Sequence, residues 1–112
     1  MKSSIIFLIL SLSFCQLFCV GNNTPPSIES IIASPESVAP KGSVLLICKA
    51  TDEEDKKLNY LWDCSLGSIN SPNENDSATW IAPDETGYFS ISCEVSDNDN
   101  GSTIKTIDLK VL

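Results

Sequence analysis

Beyond residue 21 no helical period persists anywhere in this 112-residue chain. Apolar side chains instead alternate with polar ones in short runs, and Pro, Gly, Asn and Asp cut the runs apart. Successive side chains of a strand point to opposite faces, so period-two alternation broken about every 8 to 12 residues predicts short antiparallel strands. The runs place strands at 28–33, 44–50, 58–64, 78–81, 88–95 and 103–112, with a weak one near 67–70. About seven strands in about 90 residues predict an all-β antiparallel sandwich with one core. Alternation also assigns the inward faces: Val44, Leu46, Cys48 and Ala50; Leu58, Tyr60, Trp62 and Cys64; Phe89, Ile91, Cys93 and Val95; Ile107, Leu109 and Val111.

The first 21 residues are of another kind. Lys2 precedes an apolar run at 5–12, which Ser11, Ser13 and Gln16 then dilute. A membrane span needs about 20 predominantly apolar residues, so the stretch reads as a secretory signal peptide. Cleavage after Gly21 leaves Asn22 first, and the product is a soluble secreted domain. Lipoprotein processing, with the signal ending at Cys15 or Cys19, instead leaves a diacylglycerol anchor, for which Cys19 is the candidate. Phe14 and Phe18 stand where that processing prefers a small residue. Residues 22–27, containing Pro25 and Pro26, form a stiff extended leader, and 28–112 form the domain.

Composition excludes several function classes. The chain from residue 22 carries six Lys, no Arg and fifteen acids, a formal net charge of −9. Nucleic-acid affinity comes mainly from cations on phosphates, so no nucleic-acid partner is expected. No His is present, which removes Ser/His and Cys/His catalysis and the common zinc-ligand sets. The domain is also shorter than the large α/β enzyme folds.

Cys48, Trp62 and Cys93 fall on the second, third and penultimate strands, the order found in immunoglobulin-type domains. The runs SPESVAPKGSVLLICKATD (34–52), LNYLW (58–62), TWIAP (79–83) and GYFSISCEVSD (87–97) resemble PKD-type and related Ig-like modules of bacterial surface and secreted proteins. The resemblance implies an Ig-like β-sandwich, a disulfide between Cys48 and Cys93, and Trp62 as the core tryptophan packed on it. Forty-five positions separate the two cysteines, and closing a loop of that size stabilises by about 4 kcal/mol in the chain-entropy model. Such modules usually carry an aromatic residue after the Gly of the penultimate strand, in register with its Cys. Here Phe89, not Tyr88, has the parity of Cys93. Cys64 is the odd thiol, either a small buried hydrophobe or a half of an intermolecular disulfide.

Two clusters remain as candidates for binding chemistry. Asp52-Glu53-Glu54-Asp55 and Asp97-Asn98-Asp99-Asn100 lie in loops that an Ig-like sandwich brings to the same end. Calcium takes 6 to 8 oxygens, and Asp52, Asp55, Asp97 and Asp99 could supply carboxylates to it. Asp and Asn also populate turns for their own hydrogen bonds, and an acidic surface aids solubility. Trp62, Trp80, Tyr60 and Phe89 are a candidate sugar-stacking platform, although alternation assigns them to core filling. Asn22, Asn75 and Asn100 begin N-x-Ser/Thr triplets. Leu45, Ile47 and Leu61 fall on outward faces, where they are scatter or a docking patch. The expected function is a non-catalytic exported module, secreted or at the cell surface, with a structural, spacer or adhesive role. Its expected partners are extracellular macromolecules, glycans among them. The alternative is a calcium- or carbohydrate-binding accessory module.

Overall fold

The computed structural model describes residues 24–54, 57–71 and 75–112. The stretch expected to be a signal peptide, with Cys15 and Cys19, and the loop residue Asp55 lie outside the described residues. The described chain forms eight strands and no helix: β1 (Ser27–Ser34), β2 (Ser37–Val38), β3 (Ser43–Thr51), β4 (Asn59–Cys64), β5 (Ser68–Asn70), β6 (Ser77–Ile81), β7 (Gly87–Ser96) and β8 (Ser102–Val111). They make two four-stranded sheets, ordered β1-β3-β6-β5 and β2-β8-β7-β4. Every pairing is antiparallel except β2 with β8.

Seven of the strands fall within a residue or two of where alternation places them. β2 is the addition. Pro35 and Pro40 bracket it and have no N–H to donate, so only Ser37 and Val38 pair, in parallel, with Lys110 and Val111. The Leu112 amide then donates to the Val38 carbonyl at 2.8 Å, and this ties the chain's end to the short strand.

The inward faces are those the sequence predicts. Val44, Leu46 and Cys48 of β3 oppose Ile91, Cys93 and Val95 of β7, joined by Leu109 and Val111 of β8. All eight are at most 2% exposed. Trp62 sits in register with Cys93 on the neighbouring strand, so its indole lies beside the inter-sheet cysteines. The core holds a second indole as well. Trp80 is fully buried, in register with Val44 on one side and Ile69 on the other, and its ring lies 6.4 Å from that of Phe89.

Both buried indoles donate to backbone carbonyls, Trp62 Nε1 to Asn75 at 3.0 Å and Trp80 Nε1 to Leu66 at 2.9 Å. A buried N–H left unpaired is costly, so each bond fixes a loop over its ring. The second requires close backbone approach at Gly67. That residue has φ +88°, and a Cβ there would strike the Ile81 carbonyl and the Trp80 ring.

Candidate functional site

The strand registers carry three connections to one end of the sandwich. Thr51 pairs with Ser27, and Ser96 pairs with both Asn59 and Ser102, so the β3–β4 and β7–β8 loops emerge together with the incoming leader. The β5–β6 connection, which includes Asn75 and Asp76, reaches the same end. Asn59 Nδ2 donates to Asn98 Oδ1 across the two main loops at 3.4 Å, and Thr103 Oγ1 donates to the Pro26 carbonyl at 2.6 Å. Pro26 is buried, so the leader is docked at its inner end.

Two predicted site residues hold matching places. Asp52 directly follows β3 and Asp97 directly follows β7, and both are buried, at 8% and 6% exposed. Each caps its own loop. Asp52 Oδ1 accepts from the Glu54 amide at 3.3 Å. Asp97 Oδ1 accepts from the Asp99 and Gly101 amides at 2.8 and 2.9 Å, while the Asp97 amide donates back to the Gly101 carbonyl at 2.9 Å. Asn100, in the left-handed region at φ 69°, turns the chain between them. These are the turn bonds for which Asp and Asn are suited, and in Asp97 they engage Oδ1. Asp97 Oδ2 is buried and has no hydrogen-bond partner. Asp99 is exposed at the loop tip. Among the described residues no three Asp, Glu, Cys or His side chains come together as a ready metal cluster.

Asp76 was not anticipated. It lies within electrostatic reach of Cys48 and Tyr60, and the Cys48 amide donates to its carbonyl at 2.8 Å. The Asn75 carbonyl that receives the Trp62 indole was equally unforeseen. A backbone acceptor leaves no mark in a sequence.

The cysteines meet as expected but are not bonded. Cys48, Cys64 and Cys93 are free thiols here, so the implied Cys48–Cys93 disulfide is not formed in this structure. The two core thiols instead face each other across the sheets, close enough that each alters the other's ionisation. Burial raises the pKa of Cys48, and burial followed by the neighbouring Cys48 raises that of Cys93. Both stay protonated and therefore weakly nucleophilic. Cys64 is half-buried, with its pKa raised by burial and then by Asp63.

The four aromatic side chains considered as a stacking platform are turned toward the core. Trp62 and Trp80 are inside, and Tyr60 and Phe89 pack against the core. Tyr88 is the exposed aromatic among the described residues, 68% exposed and capped by Lys110 Nζ at 5.8 Å from its ring centre.

The outer faces of the sheets differ in charge. On the β4-β7-β8 face, Asp63, Glu94 and Asp108 point outward. The outward register positions of the other sheet bring Ile32, Ile47, Leu45 and Ile81 together in a diagonal stripe, surrounded by Ser and Thr. Lys49 is the charged residue at those paired positions. Leu45 and Ile47 thus belong to a face whose paired positions carry no carboxylate, with the exposed Glu29 at the β1 bulge beside Lys49, whereas Leu61 pairs with Glu94 on the acidic face.

No family model matches the chain, and no curated protein matches it. Among solved structures it is similar to a nucleoside hydrolase-related hypothetical protein from Saccharophagus degradans that is associated with carbohydrate metabolism. The TM-score is 0.66 at 18% identity, over 80% of this chain and 26% of that one. The chain therefore spans about a quarter of that protein. At this identity the likeness extends to the fold.

Proposed function

We infer that the protein is a non-catalytic, exported Ig-like module with a structural, spacer or adhesive role at a cell surface. The observation that carries this reading is where the chain enters and leaves. Pro26 is held at the acidic end by Thr103, the second residue of β8, and Leu112 is held to Val38 at the other end of that strand. Ten strand residues at about 3.3 Å each separate those points by roughly 30 Å. A sandwich threaded end to end lengthens the chain that contains it. A fold shared with a quarter of a longer protein supports the same use.

The chemistry of the side chains supports the non-catalytic part. The sequence has no His, and its two inter-sheet thiols are buried and protonated. The exposed aliphatic stripe of the β1-β3-β6 face supports docking to a neighbour, since carboxylates are absent from its paired positions. Export to an oxidising compartment would convert Cys48 and Cys93 to a disulfide, with two electrons and two protons passing to the oxidant there.

Fractionation of cells expressing the full chain tests the reading. The product is expected outside the cytoplasm, shortened by about 21 residues or carrying a lipid on Cys19. Recovery of the intact 112-residue chain from the cytoplasm would overturn it.

A further inference from the structure

Asp97 is half satisfied. Its Oδ1 takes two backbone donors, whereas Oδ2, on a side chain only 6% exposed, meets no donor and no solvent. A buried carboxylate oxygen in that condition calls for a proton, a water or a cation. The surroundings favour a cation. Asp52, Glu53, Glu54, Asp76 and Asp99 share this end of the sandwich, so the local field is negative. The oxygens available, from carboxylates, Asn amides and loop carbonyls, are hard donors, and the sequence has no His.

We propose that Asp97 anchors a calcium ion at the acidic end of the sandwich, through the oxygen that its loop leaves unused. Asp52 is the other buried carboxylate among the described residues, and it closes β3 at the same end. It supplies the partner oxygen, and loop carbonyls and water complete the shell. Calcium accepts such an irregular set of 6 to 8 ligands, whereas magnesium demands a near-ideal octahedron. No third carboxylate joins them as a ready cluster among the described residues, so the site is weak. Its dissociation constant is expected at about 0.1 to 1 mM, the range of extracellular modules. The ion would tie the β3–β4 loop to the β7–β8 loop beside the point where the leader enters.

The test uses the full exported chain, dialysed against EGTA and titrated with calcium chloride at constant ionic strength, with magnesium chloride as comparator. Calorimetry is expected to show one site. At ten times the dissociation constant the unfolding equilibrium constant falls about 11-fold, and Tm rises by about 6–11 °C. Asp97→Asn keeps an oxygen for the Asp99 and Gly101 amides and removes the second charged oxygen. It is expected to bind calcium at least tenfold more weakly, while Glu85→Gln, exposed at the opposite end of the sandwich, titrates as the parent does. Amide NMR shifts on the unsubstituted chain provide a readout that needs no variant, and those of Asp99 and Gly101 should move on saturation. Absence of a calcium response in the parent would overturn the proposal and assign Oδ2 to a proton or a water. Unchanged affinity in Asp97→Asn, or shifts confined to another part of the molecule, would overturn it equally.

Discussion

At the scale of single residues, the core is specified by groups that have one satisfactory partner each. Trp80 fills the space between Val44 and Ile69 and gives its N–H to Leu66, a bond made possible by the bare backbone at Gly67. Gly67→Ala should cost about 2 kcal/mol or more, because it adds a Cβ at a left-handed φ and against the ring. Denaturant titration checks this, and an unchanged midpoint would show that the loop shifts freely. The raised pKa values of Cys48, Cys93 and Tyr60 set an alkaline limit. Burial is the first cause for each, and it favours the neutral form in the folded state. Their stabilisation is complete below the ordinary pKa, 9.0 for the thiols and 10.0 for the phenol, and declines as pH rises above it, because the unfolded chain ionises first. The reduced protein should therefore lose stability above pH 9, by at most about 1.4 kcal/mol per pH unit for each thiol. The disulfide form should decline later and less steeply. Urea midpoints between pH 7 and 11 in both redox states measure the difference. Which residues face inward was legible from alternation alone. That Trp80 is more deeply buried than Trp62 was not, because depth depends on which strands flank a residue and not on its own parity.

Strand by strand, legibility follows length. β3, β7 and β8 carry nine or ten residues each, enough alternation to fix both existence and face. β2 carries two residues between prolines and has no pattern to read. Its pairing, parallel to the end of β8, follows from where β1 delivers the chain, which is a property of the fold. The consequence is unequal protection. β7 is paired along its whole length with β8 and over residues 91–96 with β4, whereas among the described residues β8 has a partner on its other edge only at Lys110 and Val111. Hydrogen exchange should therefore be slowest in the 91–96 segment of β7, with the outward-bonding amides of β8 before residue 109 and both residues of β2 exchanging at least tenfold faster. Uniform protection along β8 would indicate that another chain pairs with its free edge. That the β3–β4 and β7–β8 connections leave from one end follows from the strand order. The orphaned oxygen of Asp97 was hidden, since a sequence does not reveal which of two carboxylate oxygens the loop amides will occupy.

For the molecule as a whole, the two sheets are held together by apolar packing and by one place where a covalent link can form, the Cys48–Cys93 contact beside Trp62. A domain of this size has a total stability of about 5 to 14 kcal/mol, so the roughly 4 kcal/mol expected from closing that loop is a large share. Reduction of the disulfide form should lower stability by about that amount while leaving the β-sheet circular dichroism intact at neutral pH. Cys64, on β4 and away from that contact, should remain a thiol. The most direct measurement is the intact mass of the protein, folded under oxidising conditions, after alkylation in denaturant, with and without prior reduction. Without reduction, one alkyl group on Cys64 is predicted, and after reduction three appear, Cys48 and Cys93 having been released. Alkylation of Cys48 and Cys93 without reduction, or a disulfide that includes Cys64, would contradict the account.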